Sequence, residues 1–209
     1  MIGMIRYLIL MTVLCLSLLP AWAQDVPKPS LTKVREQVDE LNLLKSLIPL
    51  RLTVSQIEAL LPPMREASRA AVALQKQADD ATLALGEEIG KAHAAALGGR
   101  PVPESLEKKV AESVRAAAER YQAARRKAVG EILVVAKGKL TKPQKEEIEK
   151  QCIAFYGGKR VPSKYRDKPD EAPRDVVLDL AVQGYIEQVL LFDRTLAVLE
   201  KMRTELEKQ

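Results

Sequence analysis

"RLTVSQIEALLPP", Arg51 to Pro63, and "KLTKPQKEEIEKQ", Lys139 to Gln151, decide how this chain folds. Each sets Leu-Thr-x-x-Gln directly behind a basic residue and in front of a helical pattern. The first copy carries Leu52, Thr53 and Gln56, the second Leu140, Thr141 and Gln144. Thr-x-x-Gln is the sequence of a capping box. The threonine hydroxyl accepts the backbone N–H three residues on, and the glutamine side chain reaches back to the N–H of the cap. Leu52 and Ile57 flank the first box as a hydrophobic staple. In the second copy Lys145 takes the staple position, and Pro143 sits in the first turn, where its missing N–H costs nothing. Both copies are therefore expected to start helices, each cap contributing about 1 kcal/mol.

Outward from the two boxes the periodicity stays helical. Residues 31–48 read as a short amphipathic helix, with Leu31, Val34, Val38, Leu41 and Leu44 three or four apart and Pro49 behind them. Residues 53–137 read as a long antiparallel hairpin. Its first limb carries Ala67, Ala71, Leu74, Ala78, Ala81 and Leu85 at coiled-coil spacing. "GGRPVP" breaks it, and the second limb carries Leu106, Val110, Ala117, Tyr121, Ala124 and Ala128 on one stripe. An alanine seam lets helices approach closely but buries little area, so the hairpin needs further helices against it. Pro62-Pro63 is either a kink that curves the limb or a break between two helices. Residues 141–156 read as a further helix and 157–173 as a basic, proline-rich loop. Residues 174–208 read as one C-terminal helix with a continuous apolar stripe through Val182, Tyr185, Val189, Phe192, Leu196 and Leu199, which must pack on something. Such a stripe suits the hairpin of its own chain, and heptads also suit a second copy.

Composition agrees. Aromatic residues make up 4% of the chain, while Ala, Leu, Glu, Lys, Arg and Gln, the strong helix formers, dominate. No stretch alternates β-branched and polar residues, so the fold class is all-α: a long antiparallel hairpin with additional packed helices, an extended or coiled-coil-like bundle.

The beginning of the chain reads as a secretory signal peptide: Arg6, an apolar run from Tyr7 to Leu19, and Ala21-Trp22-Ala23 as the cleavage site. The apolar run is short of the roughly 20 residues that span a bilayer. Cleavage near Ala23 leaves a periplasmic or otherwise secreted protein, with residues 24–30 as a mobile lead-in and 31–209 as one helical domain. Export argues against a nucleic-acid partner for the net charge of +5. The mature chain retains one cysteine, Cys152, which makes no internal bridge.

Sites for chemistry are scarce. His93 is the one histidine, and its neighbours one helical turn back, Ile89 and Gly90, are not ligands. No phosphate loop, nucleophile elbow or Cys/His cluster occurs. The expectation is a protein without catalysis, cofactor or metal. The positive charge has one concentration: from Lys137 to Lys168 ten Lys or Arg face four Asp or Glu. Lys142, Lys145, Phe155, Tyr156, Lys159, Arg160, Lys164, Tyr165 and Arg166 fit a surface for an anionic partner, a membrane surface among them. They fit a solvated connector as well.

Two copies of Leu-Thr-x-x-Gln around a long helical hairpin resemble the Spy/CpxP family of periplasmic proteins, over roughly Leu41 to Tyr156. The resemblance implies a small, cradle-like helical homodimer that binds unfolded or partner proteins of the envelope without ATP, as a chaperone or stress adaptor. Pro62-Pro63 and the helix from Val176 onward depart from the family pattern, so its binding surface is not carried over residue by residue. The residues alone also fit a structural coiled-coil protein that assembles with itself, and less closely a metal-sensing accessory.

Overall fold

The computed structural model describes residues 30–156, 158 and 160–208, the side chains of Phe155 and Tyr156 excepted. The expected signal peptide and most of the lead-in, residues 1–29, lie outside the described residues. The chain divides into two compact units, residues 1–36 and 37–209. In the first, Ser30 caps the opening turn of a helix, its Oγ accepting the Lys33 N–H at 3.3 Å.

The fold is all-α. Seven α-helices run through the described residues: α1 (Leu31–Leu47), α2 (Val54–Ala84), α3 (Gly86–Leu97), α4 (Glu104–Lys139), α5 (Lys142–Tyr156), α6 (Arg174–Tyr185) and α7 (Thr195–Leu206). No strand occurs among these residues. A 3₁₀ turn, Ile48–Leu50, leads from α1 into the first motif, and Arg51 makes the corner with φ of 47°.

α2 and α4 are antiparallel. Gln56 at the start of α2 bonds the Lys139 carbonyl at the end of α4 at 2.8 Å, while beyond α2, Glu88 meets Lys109 at 2.8 Å. The helix α2 continues through Pro62 and Pro63, so the reading of that pair as a break is corrected. Leu60, Leu61 and Met64 around it are almost fully buried, and their packing offsets the lost backbone bonds. The tip loop turns through Gly99 at φ of 79°, a conformation that suits glycine.

The C-terminal segment is not the single helix expected over 174–208. After α6 comes one π turn, Ile186–Leu190, closed by the Leu191 N–H on the Ile186 carbonyl at 2.9 Å. The chain then turns at residues 191–194 and resumes as α7. Two side chains take up carbonyls that the regular helical ladder would have paired. The Thr195 hydroxyl, fully buried, donates to the Val189 carbonyl at 2.5 Å, and Arg125 of α4 donates to the Glu187 carbonyl at 2.6 Å. α6 and the π turn lie along α4, with Lys137 on Asp179 at 2.7 Å. α7 lies along α2, with Arg65 on Glu200 at 2.8 Å. The C-terminal segment thus packs along both α4 and α2, and α5 covers α6, the Cys152 thiol donating to the Ala181 carbonyl.

One core joins these elements, with Ile57, Leu60, Ile132, Ile148, Tyr185, Ile186 and Leu199 among its deeply buried members. Two expected faces differ from it. Phe192, placed on the C-terminal apolar stripe, is 47% exposed because the turn carries it off that stripe. In α1 the stripe Leu31, Val34, Val38 and Leu41 is exposed, and Leu43 and Leu47 are the buried residues. The Tyr185 hydroxyl and the Gln151 amide both donate to the Ser46 carbonyl, which orients the C-terminal end of α1 with Leu43 and Leu47 inward.

Candidate functional site

The two Leu-Thr-x-x-Gln copies meet. The first forms the complete box: Gln56 N–H donates to Thr53 Oγ1 at 3.2 Å, and Thr53 N–H donates to Gln56 Oε1 at 3.0 Å. The second is half a box. Thr141 N–H donates to Gln144 Oε1 at 2.8 Å, but the Thr141 hydroxyl also donates to that oxygen, at 3.1 Å. The expected bond from the Gln144 N–H to Thr141 is not made, which corrects the expectation of two equal caps.

Each glutamine then crosses to the other copy. Gln56 Nε2 donates to Gln144 Oε1 and Gln144 Nε2 donates to Gln56 Oε1, both at 2.9 Å. Gln56 Nε2 also donates to the carbonyl of Lys139, just before the second motif. Gln144 Nε2 likewise donates to the carbonyl of Leu50, just before Arg51 and the first motif, at 2.9 Å. Every amide donor and acceptor of the pair is used, so Gln56 is buried to 8% exposure without a polar atom left unpaired. Leu52 and Leu140, the leucines of the two motifs, are buried beside the clasp at 5% and 8% exposure. The motif therefore does more than cap: it ties the start of α2 to the end of α4 and the start of α5.

The basic stretch does not converge on one point. Lys142 and Arg166 are exposed, and Lys145 donates to the Lys137 carbonyl at 3.0 Å. Arg160 lies 3.6 Å from Glu187, and Lys164 lies over the ring of its neighbour Tyr165, 4.7 Å from the centroid. Lys159 and the side chains of Phe155 and Tyr156 lie outside the described residues.

A notch opens where the C-terminal turn ends on the first hairpin. It encloses about 500 Å³, with Ala67, Ala71, Ala124 and Ala128 among its lining. Tyr121, Phe192 and Val72 also line it and are 46%, 47% and 69% exposed. Arg125 and Asp193 are its charged groups. Sequence reading placed Tyr121 and Phe192 on buried stripes and passed over Arg125. A notch made by two segments far apart in the chain leaves no local signature.

Reactive groups are few. Burial pushes the Cys152 thiol above its ordinary pKa, against a smaller lowering by Arg160, so it stays a thiol. Burial likewise raises Tyr185. Arg174 is held in its charged form chiefly by its bond to the buried Glu149, at 2.6 Å. His93 is exposed, and no group of three or more His, Cys, Asp or Glu among the described residues is placed to hold a metal ion. No helix among them is long and apolar enough to cross a membrane. Compared with known proteins, the chain matches no family model, no curated protein and no solved structure.

Proposed function

We propose that this protein is a non-catalytic binding protein of the Spy/CpxP type, exported to the periplasm, that holds unfolded or partner proteins of the envelope without ATP. The observation that carries this reading is the pair of Leu-Thr-x-x-Gln motifs. They close on each other at the base of a helical hairpin whose limbs keep large apolar side chains exposed. Val72, Leu83, Val114 and Tyr121 are each at least 46% exposed, on helices with few buried residues beyond Met64. A surface of that kind suits transient contact with apolar segments. The basic residues around Lys142, Lys164 and Arg166 would add attraction for acidic segments and for anionic membrane surfaces. A homodimer belongs to the same proposal.

Purified mature protein should suppress aggregation of an unrelated unfolded protein at near-stoichiometric ratios without nucleotide. Inactivity together with concentration-dependent assembly in sedimentation would replace this reading with a structural coiled-coil protein.

A further inference from the structure

Along the base of the first hairpin, the groove between α2 and α4 is filled by the chain's own helices. α6 and its π turn follow α4 from Asp179 at Lys137 to Glu187 at Arg125, and α7 follows α2 through Glu200 at Arg65. The turn at residues 191–194 ends that cover at the level of Val72 and Tyr121. The groove itself continues. Val114 lies seven residues before Tyr121 and Leu83 eleven after Val72, so each shares a helical stripe with its counterpart. Val114 and Leu83 are 63% and 75% exposed. The surface that accepts two helices of this chain therefore runs on, uncovered, past the point where those helices stop.

We propose that the notch is a docking site for one amphipathic α-helix of a partner protein. The partner's apolar side chains seat on the alanines between Tyr121 and Phe192, and a carboxylate on its flank meets Arg125. The alanine lining lets a helix backbone approach closely, as side-chain size at the contact sets the distance between helix axes. The charge follows from burial. Arg125 is half-buried, spends one bond on the Glu187 carbonyl, and has no carboxylate paired with it among the described residues. Asp193 lines the same notch but is exposed, so solvent screens it more fully. The interior of the notch therefore selects an anion, and an acidic flank fits better than a basic one. This inference rests on the non-catalytic binding reading and names the kind of partner.

The test uses the mature protein and two labelled model helical peptides with the same leucine face, one flanked by Glu and one by Lys, in fluorescence anisotropy. The Glu peptide should bind about tenfold tighter than the Lys peptide, an affinity ratio that reports the charge term. Phe192→Ser, at an exposed position, should weaken it by about tenfold or more with the melting curve unchanged, as truncating an interface anchor does. Asp193→Lys should tighten it. Equal affinity for both peptides, no binding, or indifference to Phe192→Ser each overturns the proposal. So does a wild-type dimer that Phe192→Ser dissociates, because the notch is then covered by a second copy. Aggregation suppression read in parallel separates the two claims. Suppression by a wild-type protein that binds neither peptide sinks the notch and leaves the binding reading, while peptide binding without suppression does the reverse.

Discussion

Replacing Gln144 by alanine should cost far more than a helix cap. It removes the bonds to Thr141 N–H at 2.8 Å, to the Leu50 carbonyl at 2.9 Å, and both bonds to Gln56 at 2.9 Å. Thr141 is exposed and its N–H returns to water cheaply. Gln56 is buried; its amide oxygen keeps the Thr53 N–H and its nitrogen keeps the Lys139 carbonyl, but each loses its partner in Gln144. At about 1 kcal/mol net for each of the three bonds to Leu50 and Gln56, the loss is about 3 kcal/mol. Gln56→Ala breaks the same two cross-motif bonds together with those to Thr53 N–H and the Lys139 carbonyl, and should cost a similar amount. In the double variant the cross-motif bonds are lost only once. It should therefore cost about 4 kcal/mol, giving a coupling of about 2 kcal/mol. Urea unfolding of the four proteins, followed by far-ultraviolet circular dichroism, measures this. Each single variant should also melt about 6–12 °C lower, the shift expected for a chain of this size. If the single costs add to within about 0.5 kcal/mol, the two motifs are independent caps and the clasp reasoning fails.

The remaining expectations are simpler. Thr53→Ala should destabilise by about 1 kcal/mol, the usual value of a complete cap. Thr141→Ala should cost under about half of that, because its hydroxyl accepts no backbone N–H; equal midpoint shifts in urea would contradict the asymmetry. Thr195→Val should cost about 1 kcal/mol by removing the hydroxyl's bond to the Val189 carbonyl, which then keeps the Phe192 N–H at 3.2 Å, and an unchanged midpoint would show that the turn does not need the hydroxyl. Stability should fall in alkali. Cys152 and Tyr185 have pKa values raised above the ordinary 9.0 and 10.0, so both stay protonated in the folded chain while the unfolded chain ionises. Their contribution is complete below about pH 9 and is lost as pH rises from there. A midpoint that rises above that pH, or a slope unaltered in the Cys152→Ala, Tyr185→Phe double variant, would contradict it.

Much of the fold was legible because its determinants are local. Helix formers with few aromatics, apolar residues three and four apart, and "GGRPVP" between two long limbs specify an all-α chain with helices close to those observed. The Thr53 cap was legible for the same reason, since a capping box involves only residues three apart. What the sequence did not reveal depends on residues distant in the chain. Nothing within residues 51–56 or 139–144 says that two glutamines, each able to cap its own helix, also pair with each other. That pairing requires α2 and α4 to be antiparallel and in one register.

The C-terminal turn is the clearest division between the two kinds of information. Residues 190–195, Leu-Leu-Phe-Asp-Arg-Thr, contain no glycine or proline, and their apolar spacing continues a heptad, so local preference favours an unbroken helix. The tertiary structure breaks it because Arg125, 62 residues earlier, and Thr195 supply partners for carbonyls that the regular ladder would have kept. Turning back also lets Val198 and Leu199 enter the same core as Ile57 and Leu60, where a straight helix would have carried them out along the hairpin. The choice in α1 is of the same kind. Two apolar faces were available, and the Ser46 carbonyl, held by Gln151 and Tyr185, turns Leu43 and Leu47 inward. Periodicity specifies that a helix has an apolar face. Which face is buried, and where a helix stops for want of a breaker, depends on hydrogen bonds and contacts that exist only once the chain has packed.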